Sequence, residues 1–599
     1  MASLSPAADG VTRPAGANLA GATTDPSPGV RADLLRQFAP ALVAALLAAI
    51  YLIVSPPSID LAATEYRTWL FGQEGLSLWD LQWYAGHHMP GYSVLLPPLG
   101  WLLGARLLGA ICIVAASALF TRLAWDRFGE RAWVGALWFG AGSITLLMSG
   151  RITFALGLVP ALGALVALER ATTAGRLARR TKPLVALALV LGVITALASP
   201  VAAVFLALAG AAYALGEPLA RRVSDRPTAA APDAHAERRA AARPRLRTLS
   251  TPRRLAGCSL AAAALLPVAA FAIAFPEGGT EPFVLSAFWP TLAVAAAALV
   301  LFPREQRTLR IAVVLYALGC TAAYLIDTPV GGNAARLGAL CAGPLFALVL
   351  WRKRPLALAL LVLPLLYWQW TSAVHDVRIT HGDPSVQQAY YAPLLAFLDG
   401  ADPDGSSGRV EIPFTKLHWE SRWVAPHHTI ARGWERQLDH KVNPVFYEGT
   451  LTPARYRGWL LRSGVRWVAL PDATPDYSAR TEARIVAAGQ PYLREVERTA
   501  HWRIYEVEGA TGLASGPARV LHTSPDSVEL AVARPGTVRL RMHWTPYWKV
   551  AQGDACVAPA SSPGGDDQTE LRVRRAGTVT LVTSFAPGRV GARSPRCSG

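Results

Sequence analysis

Apolar positions along this chain gather in long runs near residues 38–54, 93–121, 132–149, 152–169, 183–198, 200–216, 255–274, 286–302, 309–326, 335–350 and 355–373. A helix needs about 20 apolar residues to cross a bilayer, so these runs predict about eleven transmembrane helices. Two are less regular. The run at 93–121 opens on Pro97-Pro98, which suits a short broken entry, and 183–216 is split at Ser199-Pro200.

The polar connections alternate in charge. Those near 121–131, 169–182, 217–254, 303–308 and 351–354 are rich in arginine and lysine, whereas those on the other side carry few. Basic residues stay on the cytoplasmic side, which predicts a cytoplasmic N-terminus in a multi-pass protein of the cytoplasmic (cell inner) membrane. The loop at 56–92 and everything after about 374 then lie outside. Residues 1–30, rich in Ala, Gly, Pro, Ser and Thr without periodicity, read as a disordered cytoplasmic tail. Residues 31–377 form the transmembrane domain, with an outer loop at 56–92 and a cytoplasmic basic loop at 217–254.

After residue 378 the period changes. YYAPLLAFLDG reads as an amphipathic helix, followed by short strands such as GRVEIPF and WRIYEVEG between helical pieces. This predicts an extracytoplasmic α/β domain over 378–515. From 516 to 599 alternating apolar positions between Gly and Pro turns predict a β-sandwich. The fold class is thus an α-helical polytopic membrane protein with an extracytoplasmic α/β domain and a β-sandwich.

Composition agrees with the pattern. Of 599 residues 52% are hydrophobic and 17% charged, with mean hydropathy +0.28, too apolar for a soluble protein of this size. The net charge of +17 resembles a nucleic-acid signal until it is located in the basic connections, where it orients helices; no nucleic-acid partner is expected. Cys556 and Cys597 can pair if their domain lies outside the cytoplasm, and no spacing of Cys and His suggests zinc.

The loop at 56–92 is long and chemically rich. It holds Asp60, Glu65, Arg67, Trp79, Asp80, Trp83, Tyr84, His87, His88 and Tyr92. Carboxylates can accept a proton, arginine forks match phosphate oxygens, and aromatic faces suit sugars. Each has a plainer alternative: Asp60 caps a helix, Glu65 pairs with an arginine, the aromatics anchor at the interface, and the histidines hydrogen-bond within the loop. Arg151 and Arg336 open two spans on the outer side, where they either snorkel or meet a lipid phosphate; Asn333 lies just before Arg336. The segment 409–439 concentrates Trp419, Glu420, Arg432 and Trp434 among other charges, either a carbohydrate-facing surface or a folded polar core.

A helix, a long outer loop with Asp60 just past the first span, about ten further spans and an outer C-terminal domain resemble the GT-C superfamily of integral-membrane glycosyltransferases. WYAGHHMPGYSVLLPP, GGNAARL and ARGWERQLD are similar to segments of actinobacterial membrane proteins, and HWTPYWKV with AGTVTLVTSF is similar to the end of YfhO-type membrane proteins. The resemblance implies an inverting hexosyl- or pentosyltransferase. It would move a sugar from a polyprenyl-phosphate donor to an envelope polysaccharide or glycolipid on the outer face of the bilayer, for cell wall biogenesis. Asp60 would be the base, with Glu65 and Asp80 shaping the site and Arg336 and Arg151 on the donor phosphate. Many relatives have an acidic pair in this loop; here the nearest is Asp60 with Glu65, which leaves participation of a divalent cation open. The rival readings are a transporter or flippase, disfavoured by scarce charges within the spans, and a non-catalytic assembly factor for envelope glycoconjugates.

Overall fold

The structure is a computed structural model that describes residues 28–173, 178–216, 252–403, 405–560, 568–590 and 597. The tail expected at 1–30 and the basic loop expected at 217–254 lie almost wholly outside the described residues. Among the described residues, eight helical stretches are long and apolar enough to cross a membrane, while Pro200–Leu215 and Leu285–Leu301 are apolar but shorter. This is a multi-pass membrane architecture.

The expected runs include one that the structure divides differently. The run expected at 93–121 breaks at Gly104, whose φ of 79° cannot continue a helix. It becomes Leu96–Leu103, with prolines in the first turn where no backbone donor is needed, and Ala105–Phe128. The 3₁₀ turn at Gly129–Ala132, which interrupts the stretch Ala105–Met148, lies at the end of the polar connection expected near 121–131.

The loop after the first helix is itself ordered. Ile59–Glu74 is a helix, and β1 (Trp79–Asp80) pairs antiparallel with β2 (His87–His88). The C-terminal half begins with helix Gln388–Ala401 and a mixed four-stranded sheet of β3 (Arg409–Glu411), β4 (Val465–Pro471), β5 (Leu493–Arg498) and β6 (Trp502–Val507). Its order is β3-β4-β6-β5, with only β3 and β4 parallel.

The remaining strands are β7 (Ala514–Ser515), β8 (Ala518–Ser524), β9 (Ser527–Val532), β10 (Gly536–His543), β11 (Trp548–Gln552), β12 (Ala555–Ala560), β13 (Gln568–Val573) and β14 (Gly577–Thr583). They form two antiparallel sheets, β12-β13-β10-β7 and β11-β14-β9-β8, whose inward residues Leu530, Leu540, Leu571 and Leu581 share one core. Cys556 on β12 is disulfide-bonded to Cys597, with Cα atoms 5.0 Å apart.

The loop locks these parts together. Trp79 and Leu81 leave it to enter the sandwich core beside Trp548, whereas Trp83 and Tyr84 join a core shared by the helical bundle and the α/β sheet. Backbone bonds follow the same path: Leu81 N donates to Pro525 O (2.9 Å), Ile430 N to Gln82 O (2.9 Å) and His543 N to Ala85 O (2.8 Å). Burying each large apolar side chain is worth about 1.5–3 kcal/mol, so these few residues are a substantial clamp.

Gly433 is part of it. A Cβ there would overlap the Trp83 indole. Gly433→Ala is therefore expected to cost about 1–3 kcal/mol by overpacking. The check is the thermal unfolding midpoint followed by tryptophan fluorescence, and an unchanged midpoint would mean that this contact is not tight.

Candidate functional site

The helix Ile59–Glu74 starts immediately beyond the first membrane helix, and Asp60 lies in its first turn, where a carboxylate is favoured by the helix dipole. Ser58 holds the N-cap position, so Asp60 is not the cap. Its side chain keeps 34% of its surface exposed. Gly150, with φ 68°, packs on this helix start so closely that a Cβ would sit 2.5 Å from Ser58 Oγ and 2.6 Å from Leu61 N. That close approach brings the next residue, Arg151, beside Asp60.

Arg336 reaches the same place from the opening turn of helix Ala335–Leu350, with Nη2 3.7 Å from Asp60 Oδ2. A cation at a helix N-terminus opposes the dipole and so favours a nearby anion. Arg151 Nη2 donates to Ser372 Oγ at 3.0 Å, while its buried Nε has no hydrogen-bond partner among the described residues. Asp60, Arg336, Asp376 and Glu281 all act electrostatically on Arg151. Five charged groups from distant parts of the chain thus converge at one end of the bundle. Burial, opposed chiefly by Arg336, pushes the Glu281 carboxyl up to about 7.

The C-terminal domain supplies one wall. Trp434 Nε1 donates to Ile59 O at 3.1 Å, placing the indole over the helix start next to Asp60. Its ring stacks on His418 with centroids 3.5 Å apart. Tyr92 lies nearby, acted on by both Asp60 and Arg336, and the Arg67 guanidinium sits 4.0 Å over its ring. Asn333 is buried in the turn before Arg336. The structure therefore brings together Asp60, Tyr92, Arg151, Arg336 and Trp434 of the residues singled out in the sequence.

The other loop residues form an adjoining packed layer. Arg67 pairs with Glu435 at 2.6 Å and faces Trp83, which stacks between Tyr66 and His87. Tyr84 donates to Gly433 O. Asp80 is fully buried; Tyr66 Oη and Gln82 N donate to it, each at 2.9 Å, and burial raises its carboxyl to about 7. His87 is buried against the Asp80 backbone, and burial lowers it to about 4, so it is neutral at physiological pH. His88 Nδ1 lies 2.6 Å from Glu277, and Trp79 is in the sandwich core. Glu65 sits between Arg106 (3.6 Å) and Arg422 (3.7 Å), and burial raises its carboxyl.

Three residues of the 409–439 segment expected to face carbohydrate are buried instead, as are Trp79, Trp83 and Tyr84 of the loop. Trp419 packs on Trp423, Glu420 accepts from Thr415 N and Oγ1, and Arg432 is enclosed by Asp439, Glu482 and Glu411. Of the alternatives open in the sequence, these three follow the polar core. Conversely, Glu281 and Asp376 belong to the charged cluster but were not singled out. Each is an isolated acid at a helix end, a signal visible only once the helix ends are known to meet.

Among the described residues no three His, Cys, Asp or Glu side chains are arranged to hold a metal ion. The acids of the cluster are instead interleaved with arginines, a donor set that fits an anion better than a cation.

No family model matches the chain, and no curated protein does. A solved structure of the arabinofuranosyltransferase AftD from Mycobacteria is similar at TM-score 0.43 with 14% identity, over 90% of this chain and 60% of that one. The chain thus spans less than two thirds of that protein's length.

Proposed function

We propose that this chain is a membrane glycosyltransferase that moves a sugar from a polyprenyl-phosphate donor to an envelope glycan or glycolipid acceptor on the outer face of the membrane. The observation that carries the reading is the meeting of Asp60 with Arg336 and Arg151 at one end of the bundle, beneath Trp434. A lipid-linked substrate presents its phosphate and anomeric carbon at that depth, and a one-third-exposed carboxylate beside two guanidinium groups matches its chemistry.

Asp60 takes the proton of the acceptor hydroxyl as the acceptor oxygen attacks the anomeric carbon. The bond from that carbon to the phosphate oxygen breaks, and its electron pair leaves with the polyprenyl phosphate. Arg336 and the open Nε donor of Arg151 neutralise the charge that develops there. Single displacement inverts the anomeric centre. Trp434 and Tyr92 add aromatic surface beside the charged cluster. Glu65 and Arg67 act as positioning residues by fixing the loop against the C-terminal domain, and Asp80 by joining Tyr66 to Gln82 within the loop.

The test is transfer by purified protein in lipid, using radiolabelled polyprenyl-phosphate sugars and an envelope extract as acceptor. Label in the glycan or glycolipid fraction is expected. No transfer from any such donor, by protein that unfolds cooperatively, would overturn the reading.

A further inference from the structure

A second cluster of arginines lies away from the Asp60 site. A cavity of about 130 Å³ opens where the α/β sheet, the β-sandwich and the loop residues Tyr84 and Ala85 meet. Arg409, Arg462, Arg541, His543 and Gln568 line it, and no Asp or Glu does among the described residues.

Arg409 is the telling residue. It is fully buried at the start of β3, yet no carboxylate pairs with it among the described residues. Its Nη1 donates to the carbonyls of Ser463 and Arg541, each at 2.7 Å, while Nε and Nη2 have no partner among the described residues. Arg541 is likewise held by neutral oxygens, those of Leu461 (2.9 Å), Gly512 (2.8 Å) and Thr511 (2.6 Å). Its charge adds to that on Arg409, and burial with this repulsion lowers the Arg409 guanidinium to about 9.

Arg432, in the same domain, shows what a purely structural guanidinium receives here: the carboxylates of Asp439 and Glu482, with the Glu411 acid group beside them. Buried cations are costly unless paired, and unused donors on them add to that cost. A cavity walled by three arginines and no acid lacks one component, an anion.

We infer that this cavity is an oxyanion site that takes a phosphate group, either free or as a small phosphate ester. Its volume suits one tetrahedral anion held by several arginine donors, the arrangement in which guanidinium forks bind phosphate most strongly. The exposed Arg462 forms the side by which the anion enters.

The test uses the full chain in detergent, titrated with sodium phosphate or glycerol 3-phosphate at ionic strength held constant with sodium chloride. Heat of binding and thermal unfolding midpoint are followed together. Saturable binding with a raised midpoint is expected for wild type, and the ligand that binds identifies the source. Arg462→Gln should weaken binding at least tenfold while melting like wild type without phosphate. Arg409→Lys, which keeps the charge but removes the two open donors, should also weaken binding at least tenfold. A rise in midpoint matched by chloride, or affinity unchanged in both variants, would overturn the assignment.

Discussion

Asp60→Asn is expected to lower sugar transfer by about 10²–10⁴-fold, the usual contribution of a positioned proton acceptor, equivalent to about 3–5 kcal/mol of barrier. The change is isosteric, and the side chain is one-third exposed in a first helical turn, so folding should survive. A further signature separates chemistry from damage. Asp60 lies 3.7 Å from Arg336, and its negative charge competes with a donor phosphate for that guanidinium. Removing the charge should leave the donor KM unchanged or lower while kcat falls. A loss shared equally by kcat and donor binding would point to a disordered site instead. If transfer falls less than about tenfold, the acceptor proton goes elsewhere. Glu281, held near pH 7, and Asp376 are then the groups to replace next.

The helical part of the fold was legible because a bilayer imposes one length on every crossing element, so apolar runs alone located the helices. The boundary error falls at Gly104, where positive φ ends a helix inside an apolar stretch that hydropathy reads as continuous. The site was half legible. Asp60, Arg151 and Arg336 stand out because charge at a helix end in a membrane is expensive. Glu281 lies in FPEGGTEPF, where the sequence offered only a connection poor in basic residues, and Asp376 sits near the end of the last long helix. Nothing local distinguishes either from a solvated acid. The segment 409–439 failed differently. Charge interleaved with aromatics has the same pattern in a sugar-facing surface and in a buried ion network, and only burial separates them.

That buried network makes the second large prediction. Arg432 Nε and Nη2 grip Asp439 at 3.1 and 2.7 Å, and Nη1 reaches Glu482 at 3.1 Å, with Phe414 and Phe446 against the guanidinium faces. Asp439 closes the helix Arg436–Val442 onto this centre, and Glu482 closes the helix Arg480–Ala487, aided by Tyr456, which donates to it at 2.9 Å. Arg432→Met keeps the volume but leaves these acids buried without their cation. Breaking such a network from one side costs about 3–5 kcal/mol, so the α/β domain should unfold well below the wild-type midpoint. Glu411 makes the opposite case. Burial first, and the Glu482 charge second, push its carboxyl well above the ordinary value, so the folded state holds it protonated. Its contribution is complete below the usual carboxylate range and is lost as pH rises through the raised value. Glu411→Gln should therefore flatten the decline of stability above about pH 4.5 and match or exceed wild type at pH 8, as read from unfolding midpoints across that range. Destabilisation of Glu411→Gln at pH 8 as severe as that of Arg432→Met would show that Glu411 is ionised and paired with Arg432. The centre would then be an ion cluster needing all its charges, not one cation compensating two acids beside a neutral third.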